Sequence, residues 1–145
     1  MRESVEQRLE RWAQQLRATG GRLTSERLAI LRVLAQDPSH PSAEDIYRQV
    51  KADFPALSLA TVYKTLAVWE AMGEALAVAT VKETSRYDGL NPYPHPHLVC
   101  TECGSVVDLQ ASEVAALLQA VSKCAGQWRL SARAEFWGLC PRCQA

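Results

Sequence analysis

The stretch His95-Pro96-His97-Leu98-Val99-Cys100-Thr101-Glu102-Cys103-Gly104, answered near the other end of the last third by Cys140-Pro141-Arg142-Cys143, decides the fold. Thiolates three positions apart reach one tetrahedral ion, and two such pairs complete a four-cysteine zinc site. Only five Cys and three His occur in 145 residues, so this density of ligands is concentrated. The bland alternative is buried or disulfide-bonded cysteine. The doubled spacing, Gly104 directly after the first pair and a charged start without export character favour zinc over a disulfide. Four thiolates leave no open coordination position, so a zinc held by Cys100, Cys103, Cys140 and Cys143 is structural and not catalytic. Cys124 has no partner at ligand spacing and reads as a core residue.

Working outward, the segment before the first pair is extended. Pro94 and Pro96 hold it so, and His95 and His97, two apart, face the same way. They are either two surface histidines or two ligands of one ion. Leu98–Cys100 and Val106–Leu109 are expected as strands on either side of the knuckle. Asp108 stands in an otherwise apolar strand, where an unpaired carboxylate is unfavourable. A helix over 112–125 should turn Val114, Leu117, Leu118 and Val121 inward. A long strand over 128–137 should lead into Cys140. Gly89 to Pro94 is the Pro/Gly-rich linker and the expected hinge. That gives domains over 1–88 and 95–145, with a second domain short enough to need a metal staple.

The first domain reads as helices followed by a hairpin. Leu9, Trp12 and Leu16 give a first helix that Gly20-Gly21 ends. Thr24 or Ser25 caps a second helix, with Leu28, Ile30, Leu31 and Leu34 inward. Asp37-Pro38-Ser39-His40-Pro41 breaks it. Ser42, with acids behind it, caps a third. Ser58 caps a fourth, whose Leu59, Val62, Leu66 and Trp69 form one stripe. Its other face carries Ala60, Thr61, Lys64 and Ala67, with Tyr63 at the boundary. Such a face is small or hydrogen-bonding and can lie against base edges. Two short strands, 75–81 and 85–88, surround a turn at Lys82-Glu83-Thr84. This order is that of a winged helix-turn-helix.

Composition bounds the function. Sixteen basic and sixteen acidic residues cancel, which argues against coating nucleic acid or membrane by bulk charge. Up to Arg32, however, seven Arg stand against four Glu. No apolar run has the length of a membrane span, and cytoplasm is the expected compartment. A zinc hydrolase would need an open metal and a base, and the chain has no His-Glu-x-x-His. A winged-helix module with structural zinc alone is the other alternative.

The motifs Gly21-Arg22-x-Thr24-x-x-Arg27-x-x-Ile30-Leu31, His40-Pro41-Ser42-Ala43-Glu44-Asp45-Ile46-Tyr47, Leu57 to Leu66, Arg86-Tyr87-Asp88, His95-x-His97-x-x-Cys100-x-x-Cys103-Gly104-x-x-x-Asp108 and Cys140-x-x-Cys143 together resemble the ferric uptake regulator superfamily. The resemblance covers nearly the whole chain from Arg17. It implies an α+β protein: an N-terminal winged helix plus a small C-terminal α/β dimerisation domain with a four-cysteine zinc site. It implies a dimeric, metal-dependent transcriptional repressor without enzymatic activity or a small-molecule substrate, acting on palindromic double-stranded DNA. Its peroxide-sensing branch uses three His and two Asp, which map onto His40, Asp88, His95, His97 and Asp108, holding Fe(II) or Mn(II). Iron-sensing members place Glu at the positions of Asp88 and Asp108, and zinc-sensing members add a Cys. An iron- or manganese-responsive repressor without peroxide sensing is the alternative within the family. The spacer from Asp88 to His95 is one residue longer than the family pattern. Ser131 to Trp137 lacks the His that many metal-sensing members carry, so no additional His-based site is expected. Arg17, Arg22, Ser58, Thr61, Tyr63 and Lys64 are the expected DNA contacts. Peroxide sensing in this branch implies oxidation of His40 or His95.

Overall fold

A computed structural model describes residues 3–81, 84–110, 112–130 and 133–145. The described residues fall into two compact units, one drawn from Met1–Val78 and Thr84–Pro92, the other from Ala79–Glu83 and Tyr93–Ala145. Element order is α1 (Val5–Ala18), α2 (Ser25–Gln36), α3 (Ala43–Lys51), α4 (Leu59–Ala71), β1 (Leu76–Val81), β2 (Thr84–Asp88), β3 (His97–Cys100), β4 (Val106–Asp108), α5 (Ser112–Cys124) and β5 (Glu135–Gly138).

In the first unit the helix starts follow from side-chain caps. Ser4, Thr24, Ser42 and Ser58 each accept from the backbone N–H three residues on. Gln7 and Asp45 close reciprocal boxes at α1 and α3, satisfying a second orphan donor each. The core gathers Leu9, Trp12 and Leu16 of α1, Ile30, Leu31 and Leu34 of α2, Ile46 and Val50 of α3, and Val62, Leu66 and Trp69 of α4. Trp12 stacks on Trp69 with ring centroids 5.1 Å apart, which joins the first helix to the fourth. Burial of each such side chain is worth about 2 kcal/mol before entropy is charged against it. Leu59 is only half-buried, and Thr65 takes the extra inward place by bonding its hydroxyl to the Thr61 carbonyl at 2.7 Å. β1 and β2 form a two-stranded sheet. Of the expected turn between them, Lys82 and Glu83 lie outside the described residues.

The second unit is a three-stranded sheet in the order β4-β3-β5. β3 pairs antiparallel with β4 and parallel with β5. The sequence reading of a strand over 128–137 is too long. Trp128 to Leu130 have no regular structure, Ser131 and Ala132 lie outside the described residues, and pairing occupies Glu135–Gly138 alone. The alternation in the sequence continues past the residues that face β3. The inward face expected of α5 also needs correction, because no residue of that helix is buried. Leu117 and Val121 are more than half exposed. Leu98, Val107 and Phe136 lie side by side across the three strands, and all are exposed. Among its described residues, the second unit therefore leaves an apolar sheet face and an apolar helix stripe uncovered.

Candidate metal centres and nucleic-acid face

The sulfurs of Cys100, Cys103, Cys140 and Cys143 lie within 4.8 Å of one another. Two features bring them together. Parallel pairing of β3 with β5 sets Cys100 beside Gly138, two residues before Cys140. Gly104, in the left-handed region at φ +74°, then reverses the chain and donates its N–H to the Cys100 carbonyl at 3.0 Å. The Cys103 and Cys140 sulfurs are 3.8 Å apart. A tetrahedral zinc with sulfurs at about 2.3 Å has an edge of about 3.8 Å, so the donor set fits that ion.

The thiols also respond to one another. Backbone N–H groups of Cys103 and Cys140 hold the Cys100 thiol down at about 6. Hydrogen bonding to Ser105 lowers that of Cys103. The Cys140 sulfur pushes Cys143 up to about 12. Four thiolates so close repel each other, and a divalent cation at their centre removes that penalty. Cys124 lies at the end of α5 and is exposed, against the expectation of a core residue.

The five His and Asp residues fall into two sets, one in each unit. In the first, an isolated antiparallel bridge pairs Ser42 with Arg86, and the Tyr87 N–H donates to the Pro41 carbonyl at 3.1 Å. Two residues further out on both strands, this register sets His40 opposite Asp88. His40 Nε2 lies 3.2 Å from Asp88 Oδ2. His40 adopts φ +57°, a left-handed conformation that a side chain with a Cβ rarely takes. The cost is of order 1 kcal/mol. The other Asp88 oxygen, Oδ1, accepts from the Asn91 N–H at 2.7 Å.

In the second unit His97 pairs directly with Asp108 across β3 and β4. His95 Nε2 is 2.9 Å and His97 Nε2 3.3 Å from the same Asp108 oxygen, and the two rings are 4.2 Å apart. The His95 Nδ1 stands against the Tyr93 carbonyl, which fixes the ring. Each set thus joins imidazole to carboxylate, the hard and borderline donors of a divalent transition ion.

On the first unit, Arg17, Arg22, Ser58, Tyr63 and Lys64 are exposed and Thr61 is half-exposed. Arg17 closes α1, and Arg22 lies in the loop before α2. Ser58 caps α4 and its hydroxyl meets that of Thr61 at 2.9 Å. Tyr63 and Lys64 follow in the next turn. The Tyr63 hydroxyl donates to Glu44 of α3 at 2.6 Å. Sequence reasoning missed that restraint. Its only signal was an acid on the helix before the exposed Tyr. The bond holds the Glu44 carboxyl below its ordinary value and pushes the Tyr63 phenol up to about 12.

Comparison with known proteins places the chain among regulators. The ferric uptake regulator family model matches residues 18–135. The peroxide-responsive repressor PerR of Staphylococcus aureus is 34% identical over 142 residues, spanning 98% of this chain and 95% of that protein. The solved ferric uptake regulator of Helicobacter pylori, described as having three functional metal binding sites, shares the fold at a TM-score of 0.89 and 24% identity, covering 100% of this chain and 98% of that one. A Campylobacter jejuni peroxide stress regulator matches at a TM-score of 0.69 and 26% identity over 97% of this chain and 100% of its own.

Proposed function

The chain belongs to the ferric uptake regulator family, and from that premise we propose that it is a metal-dependent, DNA-binding transcriptional repressor that responds to hydrogen peroxide. The observation that carries the peroxide reading is the donor set. Both carboxylates are Asp, all three remaining donors are His, and the five cysteines supply none of them.

Cys100, Cys103, Cys140 and Cys143 hold structural zinc. His40 and Asp88 of the first unit, with His95, His97 and Asp108 of the second, hold a regulatory Fe(II) or Mn(II). Intrinsic affinity ranks zinc above both, so the metal is chosen by availability. One ion taking ligands from both halves restricts them to one relative orientation. If that orientation suits DNA, metal binding and DNA binding strengthen each other reciprocally. Ferrous iron held by these residues would activate hydrogen peroxide. One peroxide would then insert one oxygen into the imidazole of His40 or His95 and leave as water, and the oxidised ring would no longer serve as a ligand.

The α4 face enters the major groove with Thr61, Tyr63 and Lys64, the Tyr ring against a thymine methyl. Arg17 and Arg22 meet phosphates or the minor groove. Two copies associate through the apolar sheet face of the second unit, as a homodimer in the cytoplasm. A two-fold dimer presents one α4 to each half of a palindromic operator. Apart from DNA and its own second copy, this reading needs no membrane and no substrate.

Two measurements test the proposal. A gel shift on candidate operator DNA should appear with added Mn(II) or Fe(II) and vanish with a chelator that spares the zinc. Mass spectrometry after peroxide treatment of the Fe(II) form should add oxygen to a peptide carrying His40 or His95. DNA binding indifferent to metal overturns the sensor reading. An unchanged mass with iron bound leaves an iron- or manganese-responsive repressor without peroxide sensing.

A further inference from the structure

Leu9, Trp12 and Leu16 seat α1 on the core, and the helix also buries a charge. Arg8 is only 8% exposed. Its Nη1 donates to the Gly89 carbonyl at 2.6 Å. Its Nη2 is 3.5 Å from the Glu74 carbonyl and 3.6 Å from the Glu74 carboxylate, and its guanidinium carbon lies 4.7 Å from the centre of the Trp12 ring. Glu74 has a second cation in Arg11, which also binds Glu3. Neutralising Glu74 therefore does not require Arg8. What Arg8 alone supplies from α1 is the bond to Gly89.

Gly89 follows Asp88, and the short loop they begin is held at further points. The Asn91 N–H holds Asp88 Oδ1. Gly89 is pressed so closely on α2 that a Cβ there would meet the Leu34 side chain at 2.3 Å and its carbonyl oxygen at 2.7 Å. Six bonds separate the Gly89 carbonyl carbon from the Asp88 carboxyl carbon, so holding the one narrows the positions open to the other. Ligand groups must be held to about 0.5 Å to be effective.

We propose that Arg8 is a positioning residue for the Asp88 carboxylate, which makes the first helix part of the regulatory metal site. The inference rests on the reading of Asp88 as a ligand.

The test uses the full zinc-loaded chain and measures Mn(II) affinity by electron paramagnetic resonance of the free ion. Arg8→Met should weaken Mn(II) binding about tenfold, the lower end of the range for groups that orient ligands. Zinc content should be unchanged. Arg8→Lys keeps a cation beside Glu74 and the stem over Trp12, and should fall between; it replaces the Met variant if that one does not fold. Leu9→Ala removes core packing from α1 while keeping Arg8 and its Gly89 carbonyl partner, and should lower thermal stability with Mn(II) affinity unchanged. In an Asp88→Ala background, Arg8→Met should have no further effect on affinity. Equal weakening by Leu9→Ala, or additive losses in the double variant, overturns the inference and leaves Arg8 a packing residue. If Asp88→Ala weakens binding while the Arg8 variants do not, the inference alone falls. If Asp88→Ala itself leaves affinity unchanged, Asp88 is no ligand and both readings fall.

Discussion

His97 and Asp108 face each other across the antiparallel β3–β4 pair, and the imidazole Nε2 stands 3.3 Å from the carboxylate that His95 also meets. One carboxylate therefore serves two imidazoles. Asp108→Asn preserves the shape of that contact and removes its charge. On the proposed reading Mn(II) affinity should fall by about 100-fold or more, beyond the range for groups that only orient ligands, because an anionic donor becomes a neutral amide. Metal-dependent retention of DNA should disappear with zinc content unchanged. Titration with Mn(II) and a gel shift check both.

Cys140→Ser takes one sulfur from the quartet that joins β3 to β5. Structural zinc in small domains contributes apparent binding energy on the order of 10 kcal/mol, most of it folding energy. Metal analysis should find the zinc gone, and near-ultraviolet circular dichroism should lose the signal of Trp137. Prolonged exposure of the parent to a strong chelator should reproduce the result.

Gly89→Ala forces a Cβ against the Leu34 carbonyl oxygen, which belongs to the backbone of α2 and cannot swing aside. Overpacking of this kind destabilises by about 1–3 kcal/mol. Urea unfolding should show a lower midpoint. Leu34→Ala in the same chain relieves the side-chain clash but empties a core position at about 2–5 kcal/mol, so it should not restore stability.

The Tyr63–Glu44 hydrogen bond has a pH signature at each end. The Glu44 carboxyl sits below its ordinary 4.5, so its ionisation favours the folded state above that pH, and the contribution is lost as pH falls through the lowered value. The Tyr63 phenol sits at about 12 against an ordinary 10, so its contribution is complete below pH 10 and is lost as pH rises toward 12. Tyr63→Phe should return the Glu44 carboxyl toward its ordinary value in an NMR titration. It should also delete the step near pH 12 from an ultraviolet titration of the phenols.

Leu98 is flanked by Val107 on β4 and Phe136 on β5, all three exposed in the single chain. Leu98→Glu puts a charge at the centre of that face, which a second copy could cover only by burying it unpaired. Sedimentation should show monomer where the parent sediments as dimer, with helix content unchanged.

The helices of the first unit were legible because each start is a local event. Thr24, Ser42 and Ser58 cap the helices that their positions predict. The cysteine quartet was legible for the same reason, since three-residue spacing is chemistry on its own. Periodicity misled at α5, where no described residue is buried: the stripe of Val114, Leu117, Leu118 and Val121 tells that the helix has an apolar side, and not what lies against it. His40 and Asp88 were brought together only by resemblance. What joins them physically is a register between Ser42 and Arg86, and a pairing so distant in sequence leaves no periodic trace. Arg8 was invisible for another reason. An arginine on a charged helix looks solvated until the carbonyl it binds, 81 residues away, is known.

Parallel pairing of β3 with β5 means the zinc sulfurs arrive in two instalments. Cys103 and Cys140 are 37 residues apart. At ordinary translation speeds of about 5–20 residues per second, the early pair is synthesised roughly two to seven seconds before the late one. Cys100 and Cys103 alone are half a cage, so zinc can close the site only once β5 and the residues just beyond it have been made.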